Sequence, residues 1–522
     1  MGETIKKEDP EIEEFVKTLE FVERLKPCDA FFGGRTNAAK LYHKCRPGEK
    51  ILYVDFTSLY PTINKYGCYP TQHPEILLNP EDQDIEHYYG IAKCKVRAPR
   101  KLYHPILPVR VQGKLMFPLC CKCAEDQLQR PMLERSARCP HDDIEREFIG
   151  TWCTPELVEA QEKGYTIVQI YEVFHFPEEQ REVGLFSNYV DKWYRLKMEA
   201  SGWPKNVDTE EKKRRFLQEF KEREGIDLQY EELEKGGNSG LRSLAKLMLN
   251  SMWGKFGQRT NKTQVAHFTS PDDFHDFIQS DRYIIQKFQT YPHNEDILDV
   301  FYTNKEDDIE INRRTNIFVA AFTTCLARLM LYHELDKAGQ QVLYYDTDSI
   351  VILVDENNPS HYVPTTGDYL GEFTDELLDK KTGISHPIDE FVSAGPKNYG
   401  YHQTNNKTEC KVKGFSLNTE GSRYLNYAVM CDNVLNELTD PLVDTRTGRI
   451  IPRRHDVRRS HRIIRNPKDF SIQTVAEQKK YQMVFEKRVI DPETYLTYPY
   501  GYGSLDLESP TVEQDIHALL DL

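Results

Sequence analysis

The chain has 522 residues, 39% of them hydrophobic, with 25 Phe, 30 Tyr and 4 Trp, so it carries ample material for a packed core and is not a disordered polymer. Its formal charge is −15, which excludes a uniformly basic nucleic-acid coat but leaves room for one basic face on an acidic whole. No run of 18 apolar residues is present, Met1 to Glu14 lack a signal core, and 12 cysteines are too sparse for a disulfide scaffold; a soluble, intracellular chain is expected.

Residues 1–45 read as a charged helix followed by a turn at Gly33-Gly34. Residues 50–56 predict a buried strand ending near Asp55, and Ser58-Leu59-Tyr60-Pro61 reads as the start of a helix. Residues 91–118 read as short strands broken by prolines, and five cysteines crowd between Cys120 and Cys153. Residues 205–235 carry eight basic and ten acidic side chains, the pattern of a solvated helix pair ending at Gly236-Gly237. An amphipathic helix is predicted over 241–257, with Leu241, Leu244, Ala245, Met248, Met252 and Phe256 on its apolar face. A hairpin over 283–304, a second amphipathic helix over 314–337 and two apolar strands over 341–354 follow. Between Arg449 and Lys468 seven Arg and one Lys stand against a single acid, Asp456.

Three of these elements carry chemistry. The turn between the last two strands reads Asp346-Thr347-Asp348-Ser349, where a tight hairpin usually takes Gly or Asn. Two carboxylates at i and i+2, about 6–7 Å apart, repel each other unless a cation relieves them, and hard Mg²⁺ prefers such oxygens. Asp55, at the end of another strand, can join Asp348 in bridging two ions if both strands share a sheet. On the predicted helix, Arg242, Lys246, Asn250 and Trp253-Gly254 form one stripe suited to a triphosphate, a base edge and a close backbone approach. Each feature alone also fits a polar turn, a capping acid or a solvated helix face.

Together the motifs resemble family B DNA polymerases. Asp55-Phe56-Thr57-Ser58-Leu59-Tyr60-Pro61 is similar to motif A, Lys246-x-x-x-Asn250-Ser251-x-Trp253-Gly254 to motif B, Tyr344-Tyr345-Asp346-Thr347-Asp348-Ser349 to motif C, and Lys397-Asn398-Tyr399 to the KxY motif. Finer marks resemble the protein-primed branch of viruses, linear plasmids and Maverick/Polinton transposons. These are Phe31-Phe32-Gly33-Gly34 for YxGG, Thr324-x-x-Ala327-Arg328 for TxxAR, and Tyr498-Pro499-Tyr500-Gly501-Tyr502 near the end of the chain. Trp253 departs from the family's tyrosine.

The resemblance implies an α+β right-hand fold of palm, fingers and thumb with two inserted terminal-protein regions. It assigns 1–45 to an entry segment, 46–100 to the first part of the palm, 101–204 to the first insertion and 205–260 to the fingers. Residues 261–312 then form the second insertion, 313–405 the second part of the palm, and 406–522 the thumb and tail. No exonuclease motif is visible, so the chain reads as a polymerase core without proofreading, or as a piece of a longer reading frame. By resemblance Asp55 and Asp348 bridge two Mg²⁺, with Mn²⁺ as an alternative, and Asp346 is a nearby catalytic acid. Ser58, Leu59, Tyr60, Arg242, Lys246, Asn250, Trp253 and Gly254 face the incoming nucleotide. Phe31, Gly33, Gly34, Thr324, Arg328, Lys397 and Tyr399 face the primer and DNA, while Arg453, Arg454, Arg458 and Arg459 track phosphates. Expected partners are template and primer DNA, deoxynucleoside triphosphates and a terminal protein, with the chain a monomer.

Cys120, Cys123, Cys139 and His141 have spacing that can close a structural zinc site, against the alternative of incidental buried thiols. Two rival functions remain: a domesticated DNA-binding remnant, and a Mn²⁺-dependent glycosyltransferase using Asp346-Thr347-Asp348.

Overall fold

The computed structural model describes residues 22–204, 207–259, 261–291, 294–305, 315–379, 381–444, 450–451, 453–465 and 470–503. The charged helix expected before residue 22 and part of the basic run after Arg449 lie outside these residues.

A nine-stranded antiparallel sheet forms the centre. Seven strands run in the order Thr36–Ala38, Val342–Asp346, Ser349–Asp355, Glu49–Phe56, Ile388–Gly395, Asn398–Gln403 and Thr408–Val412. Phe373–Asp375 also pairs with Glu49–Phe56, and Tyr42–Lys44 with Ile388–Gly395. The central strands read as almost continuous apolar runs because both faces of the sheet are covered. On one face Val54, Phe56, Tyr345, Ile350 and Ile352 pack with Phe322 and Leu335 of the helix Ile317–Ala338. On the other, Ile51, Tyr53, Leu343, Tyr344 and Val351 pack with Met430 and Val434 of the helix Tyr427–Thr439.

Ile317–Ala338 differs from the expected amphipathic helix. It is buried on almost every face, including Thr323, Thr324 and Arg328, because the first sheet, the helix Leu59–Tyr66 and a second sheet surround it. By length and composition Ile317–Gln341 would suit a bilayer, but here the core supplies the apolar surroundings.

The second sheet has the strand order Glu75–Leu78, Thr166–His175, Gly90–Arg97, Phe148–Cys153. Four helices, Ser187–Ser201, Glu210–Glu224, Tyr230–Lys235 and Ser239–Phe256, form a separate cluster around Tyr194, Phe216, Phe220, Leu233 and Leu249. Ser187–Ser201 lies inside the span expected as the first insertion, yet it packs along Ser239–Phe256. The latter buries Ala245 and Leu249, whereas Leu244, expected inside, is 48% exposed. A three-stranded sheet of Gln264–Phe268, Asn294–Asn304 and Tyr283–Tyr291 follows and includes the expected hairpin. Toward the C-terminus, Arg454–Arg465 pairs with Ile472–Gln482, and the chain then returns to the nine-stranded sheet through Val489–Ile490 and Thr497–Tyr498, where Thr497 Oγ1 donates to the Ala38 carbonyl.

Candidate active site

The sheet brings the two principal acids to one end. In the register of the neighbouring strands Asp55 stands opposite Ser349, and the Phe56 amide donates to the Asp348 carbonyl at 2.7 Å. The hairpin turns on Thr347, a non-glycine residue at φ 63°, whose amide donates to the Arg35 carbonyl at 2.7 Å. Gly34 lies against this turn: a Cβ there would stand 2.7 Å from Thr347 Oγ1. Gly34 therefore allows the close approach that seats the hairpin, a requirement of space rather than of backbone angle.

Burial raises both carboxyls. Asp55 is pushed up to about 8, first by desolvation, then by Asp348 and Glu376; Lys246 and Lys411 partly offset this. Asp348 is pushed up to about 6, by desolvation and then by Asp346 and Glu376. Such a group of acids stores electrostatic cost that a divalent cation removes. The sequence reading missed Glu376, whose amide donates to the Tyr53 carbonyl at 3.0 Å. No motif marks it; only pairing along the strand of Asp55 brings it near.

Asp346 differs from its neighbour. Its carboxylate accepts from Thr36 Oγ1 at 2.7 Å and from Lys397 Nζ at 2.8 and 3.0 Å. Lys397 itself sits at φ 58°, and its amide donates to the Tyr344 hydroxyl at 2.8 Å. Tyr399, expected to touch the primer, is 5% exposed; its ring lies 4.7 Å from that of Tyr344 and its hydroxyl 2.9 Å from that of Tyr53. Packing leaves it little surface for a ligand, so it orients the motif C strand from behind.

Facing the acids is a group of cations. Arg242, Lys246 and Asn250 are exposed along Ser239–Phe256, as the stripe predicts. Lys197, from the adjacent helix, carries no sequence signal. Its ammonium donates to Ser58 Oγ at 3.2 Å, and burial together with Arg242 and Lys246 lowers its pKa to about 8. No carboxylate pairs with Lys197, Arg242 or Lys246 among the described residues. Ser58 adopts φ 61° and ψ 55° immediately before the helix Leu59–Tyr66, so the first amides of that helix have no intrahelical partner. Tyr60 stacks on Trp253 with centroids 4.4 Å apart, joining the helix Leu59–Tyr66 to Ser239–Phe256, and Gly254 is exposed one residue on.

Other expected contacts fall elsewhere. Arg328 is 3% exposed and forms a two-point pair with Glu156 at 2.8 and 2.9 Å. It also donates to the carbonyls of Phe32 and Gly33 at 2.7 and 3.1 Å. Thr324 is 1% exposed and donates back to Ala320 and Ala321 of its own helix. The structure thus corrects both as DNA contacts: they are enclosed, and Arg328 instead fixes the loop carrying Gly33 and Gly34. Phe31 is half-buried and packs where Gly257 leaves room, a Cβ there reaching 2.7 Å from its ring. Arg453 donates to the Asp440 carbonyl at 2.6 Å and Arg454 to Gln482 at 3.1 Å; the side chains of Arg458 and Arg459 lie outside the described residues. Cys120, Cys123, Cys139 and His141 come together, their ligand atoms within 4.8 Å of one another, the cysteines in a small core of their own.

Comparison with known proteins shows the family. The model of the family described as DNA polymerase type B, organellar and viral, matches residues 28–210 and 229–340, more than half of the chain, and the chain belongs to that family. A protein of Podospora anserina named "Probable DNA polymerase" is 24% identical over 459 residues, covering 82% of this chain and 31% of its own. A protein of the same name from Neurospora intermedia is 23% identical over 405 residues, covering 74% and 32%. The chain thus spans about a third of the length of these relatives. Among solved structures, Phi29 DNA polymerase complexed with primer-template DNA is similar at a TM-score of 0.49 and 14% identity, over 88% of this chain and 62% of that one.

Proposed function

We propose that the chain is a template-directed DNA polymerase that extends a 3′-hydroxyl with deoxynucleoside triphosphates by a two-metal reaction. The observation that carries this reading is the complementary imbalance of charge at the end of the palm sheet. Among the described residues, carboxyls with raised pKa values lack a paired cation, and Lys197, Arg242 and Lys246 lack an anion. A metal-bound triphosphate relieves both.

The donor set fits Mg²⁺, because Asp55, on a strand, and Asp348, in the hairpin turn beside it, offer hard carboxylate oxygens and leave places for phosphate. When bound, two such ions would favour the 3′-alkoxide and neutralise charge on the triphosphate. The chain's own part is positional. Asp55 and Asp348 would hold these ions at the end of the sheet. The 3′-oxygen bonds to the α-phosphorus as its bond to the bridging oxygen breaks, and Lys246, Arg242 and Lys197 stabilise the departing pyrophosphate. The amides at Ser58 and Leu59 add donors at a helix start. Tyr60, fixed by its stack on Trp253, forms the floor beneath the sugar, and Asn250 and Gly254 border the nascent base pair.

The ion pair of Asp346 with Lys397 argues against the glycosyltransferase reading, since the two acids of the turn do not face one ligand as equals. Protein priming and a terminal-protein partner belong to the same proposal and rest on the family resemblance of the Gly33-Gly34 and Thr324–Arg328 segments. Mg²⁺-dependent extension of a primed DNA template, lost in Asp348→Asn with template binding retained, is the expected result. Normal extension by that variant overturns the reading. Repeating the reaction with a candidate terminal protein in place of the primer separates the two priming modes.

A further inference from the structure

The Cys/His cluster has more structure around it than its spacing requires. The Sγ of Cys123 lies 3.4 Å from that of Cys139, and His141 Nδ1 lies 3.5, 3.3 and 3.8 Å from the sulfurs of Cys120, Cys123 and Cys139. Zn–S and Zn–N bonds of about 2.3 and 2.0–2.1 Å place the corners of a tetrahedron roughly 3.6–3.8 Å apart. The other ring nitrogen of His141, Nε2, lies 3.7 Å from the Asp126 carboxylate, longer than a hydrogen bond but on the side where a carboxylate steadies a ligating imidazole. Three thiolates and a neutral imidazole around Zn²⁺ leave one negative charge. Beside them lies the buried guanidinium of Arg146, whose Nη2 donates to the carbonyls of Ala98, Pro99 and Leu119 at 3.3, 3.1 and 3.2 Å, while its Nε has no hydrogen-bond partner among the described residues. The carbonyls fix the guanidinium in place, and its buried positive charge is complementary to an anionic metal centre.

The cluster also forms a socket. Tyr500 is fully buried in the small core built from Cys120, Cys123 and Cys139, and its carbonyl accepts from the amides of Leu119 and Cys120 at 2.8 and 3.2 Å. The Cys139 amide donates to the Gly503 carbonyl at 3.3 Å. Gly501 sits at φ 88°, where a Cβ would come within 2.6 Å of that of Cys120. The same tail is fastened to the palm: Thr497 donates to the carbonyls of Ala38 and Ala39, and Arg488 holds the Thr497 carbonyl at 2.7 Å. Next to Arg488, Lys487 Nζ donates to the carbonyl of Thr36, the residue whose hydroxyl binds Asp346.

We propose that Cys120, Cys123, Cys139 and His141 bind one structural Zn²⁺, and that this centre is the lock for the segment 486–503, which it holds down so that Lys487 is fixed beside the catalytic hairpin. The metal takes no part in the reaction, and the inference stands whether or not the chain polymerises DNA.

The test uses the full chain, purified without chelator. Elemental analysis is expected to find one zinc per chain, and growth with cobalt to give the thiolate charge-transfer and intense d–d bands of a tetrahedral site. Absence of both overturns the proposal. Hydrogen exchange then reads the lock: stripping zinc with a thiol-mercurating reagent and chelator should speed exchange at the Leu119, Cys120, Thr497 and Gly503 amides by roughly tenfold or more, with the strand Ser349–Asp355 unchanged. Unchanged tail exchange after zinc loss overturns the locking role. If Cys139→Ser does not fold, two milder variants decide. Asp126→Ala should keep the ligands but weaken zinc retention about 10–100-fold. Gly501→Ala should free the tail while zinc stays at one per chain; a tail that stays protected in Gly501→Ala counts against the socket.

Discussion

Two kinds of charged cluster coexist in this molecule, and they are solved differently. At Arg328–Glu156 and in the Cys/His group the partners are internal: a two-point ion pair, and four ligand atoms already converging. At Asp55 and Asp348 the acids are brought together without a paired cation among the described residues, and the cations that partly offset Asp55, Lys246 and Lys411, come from a separate helix and strand. A closed cluster serves the fold, because everything it needs is in the chain. An open one costs the fold stability and is completed only by a ligand. The polymerase reading rests on that distinction.

The largest expected effect tests the open cluster. Asp55→Asn or Asp348→Asn keeps the shape of the site but removes a bridging oxygen charge. Primer extension should fall by about 10³-fold or more, with DNA affinity measured by anisotropy nearly unchanged. Residual activity within a few-fold of wild type would mean that the site is completed by something else. Arg328→Ala tests a closed cluster. It strands Glu156 inside the core, and denaturant unfolding should show a loss of about 3–5 kcal/mol. A well-folded variant whose only defect is DNA binding would instead restore Arg328 as a contact.

Smaller effects sharpen the picture of the cation face. Lys246→Ala should lower kcat/KM for nucleotide by about 10²-fold, and Lys197→Ala by less, since it reaches the site through Ser58. Gly34→Ala pushes a methyl group into Thr347 and should cost roughly tenfold in extension, while the melting temperature moves little. A normal rate for Gly34→Ala would show that the hairpin has slack.

Much of this is legible in the amino-acid sequence. The strand ending near Asp55, the strands flanking Asp346-Thr347-Asp348 and the Arg242–Lys246–Asn250 stripe follow from local periodicity, and the fold places them as read. The four zinc-spaced residues also converge, because short spacings within one segment leave the backbone few alternatives. What escapes a reading of the sequence is set by distant packing. Lys197 and Glu376 have no motif and matter only through the helix and strand beside them. Thr324 and Arg328 are expected at the primer and DNA because they match the TxxAR motif of the resembled family; here both are enclosed, and the helix Thr154–Glu162, which follows a strand of the second sheet, supplies Glu156. Helical spacing points Leu244 inward, but the cluster around Leu249 covers a narrower stripe than the period suggests.

The gentlest test of the open cluster is pH. Asp55 and Asp348 titrate near 8 and 6 in the folded, metal-free chain, above the unfolded carboxyl at about 3.9. Between these values the folded state binds more protons than the unfolded one, so metal-free stability should fall as pH rises from about 4 toward 8. Mg²⁺ competes with those same protons. Its half-saturating concentration should therefore drop by about three- to tenfold per unit between pH 6 and 8. Calorimetry across this range, with and without Mg²⁺, reads both trends, and Asp55→Asn should flatten them while raising metal-free stability at pH 8. A metal affinity independent of pH would mean that the two acids are already ionised, and that the open cluster is compensated from within after all.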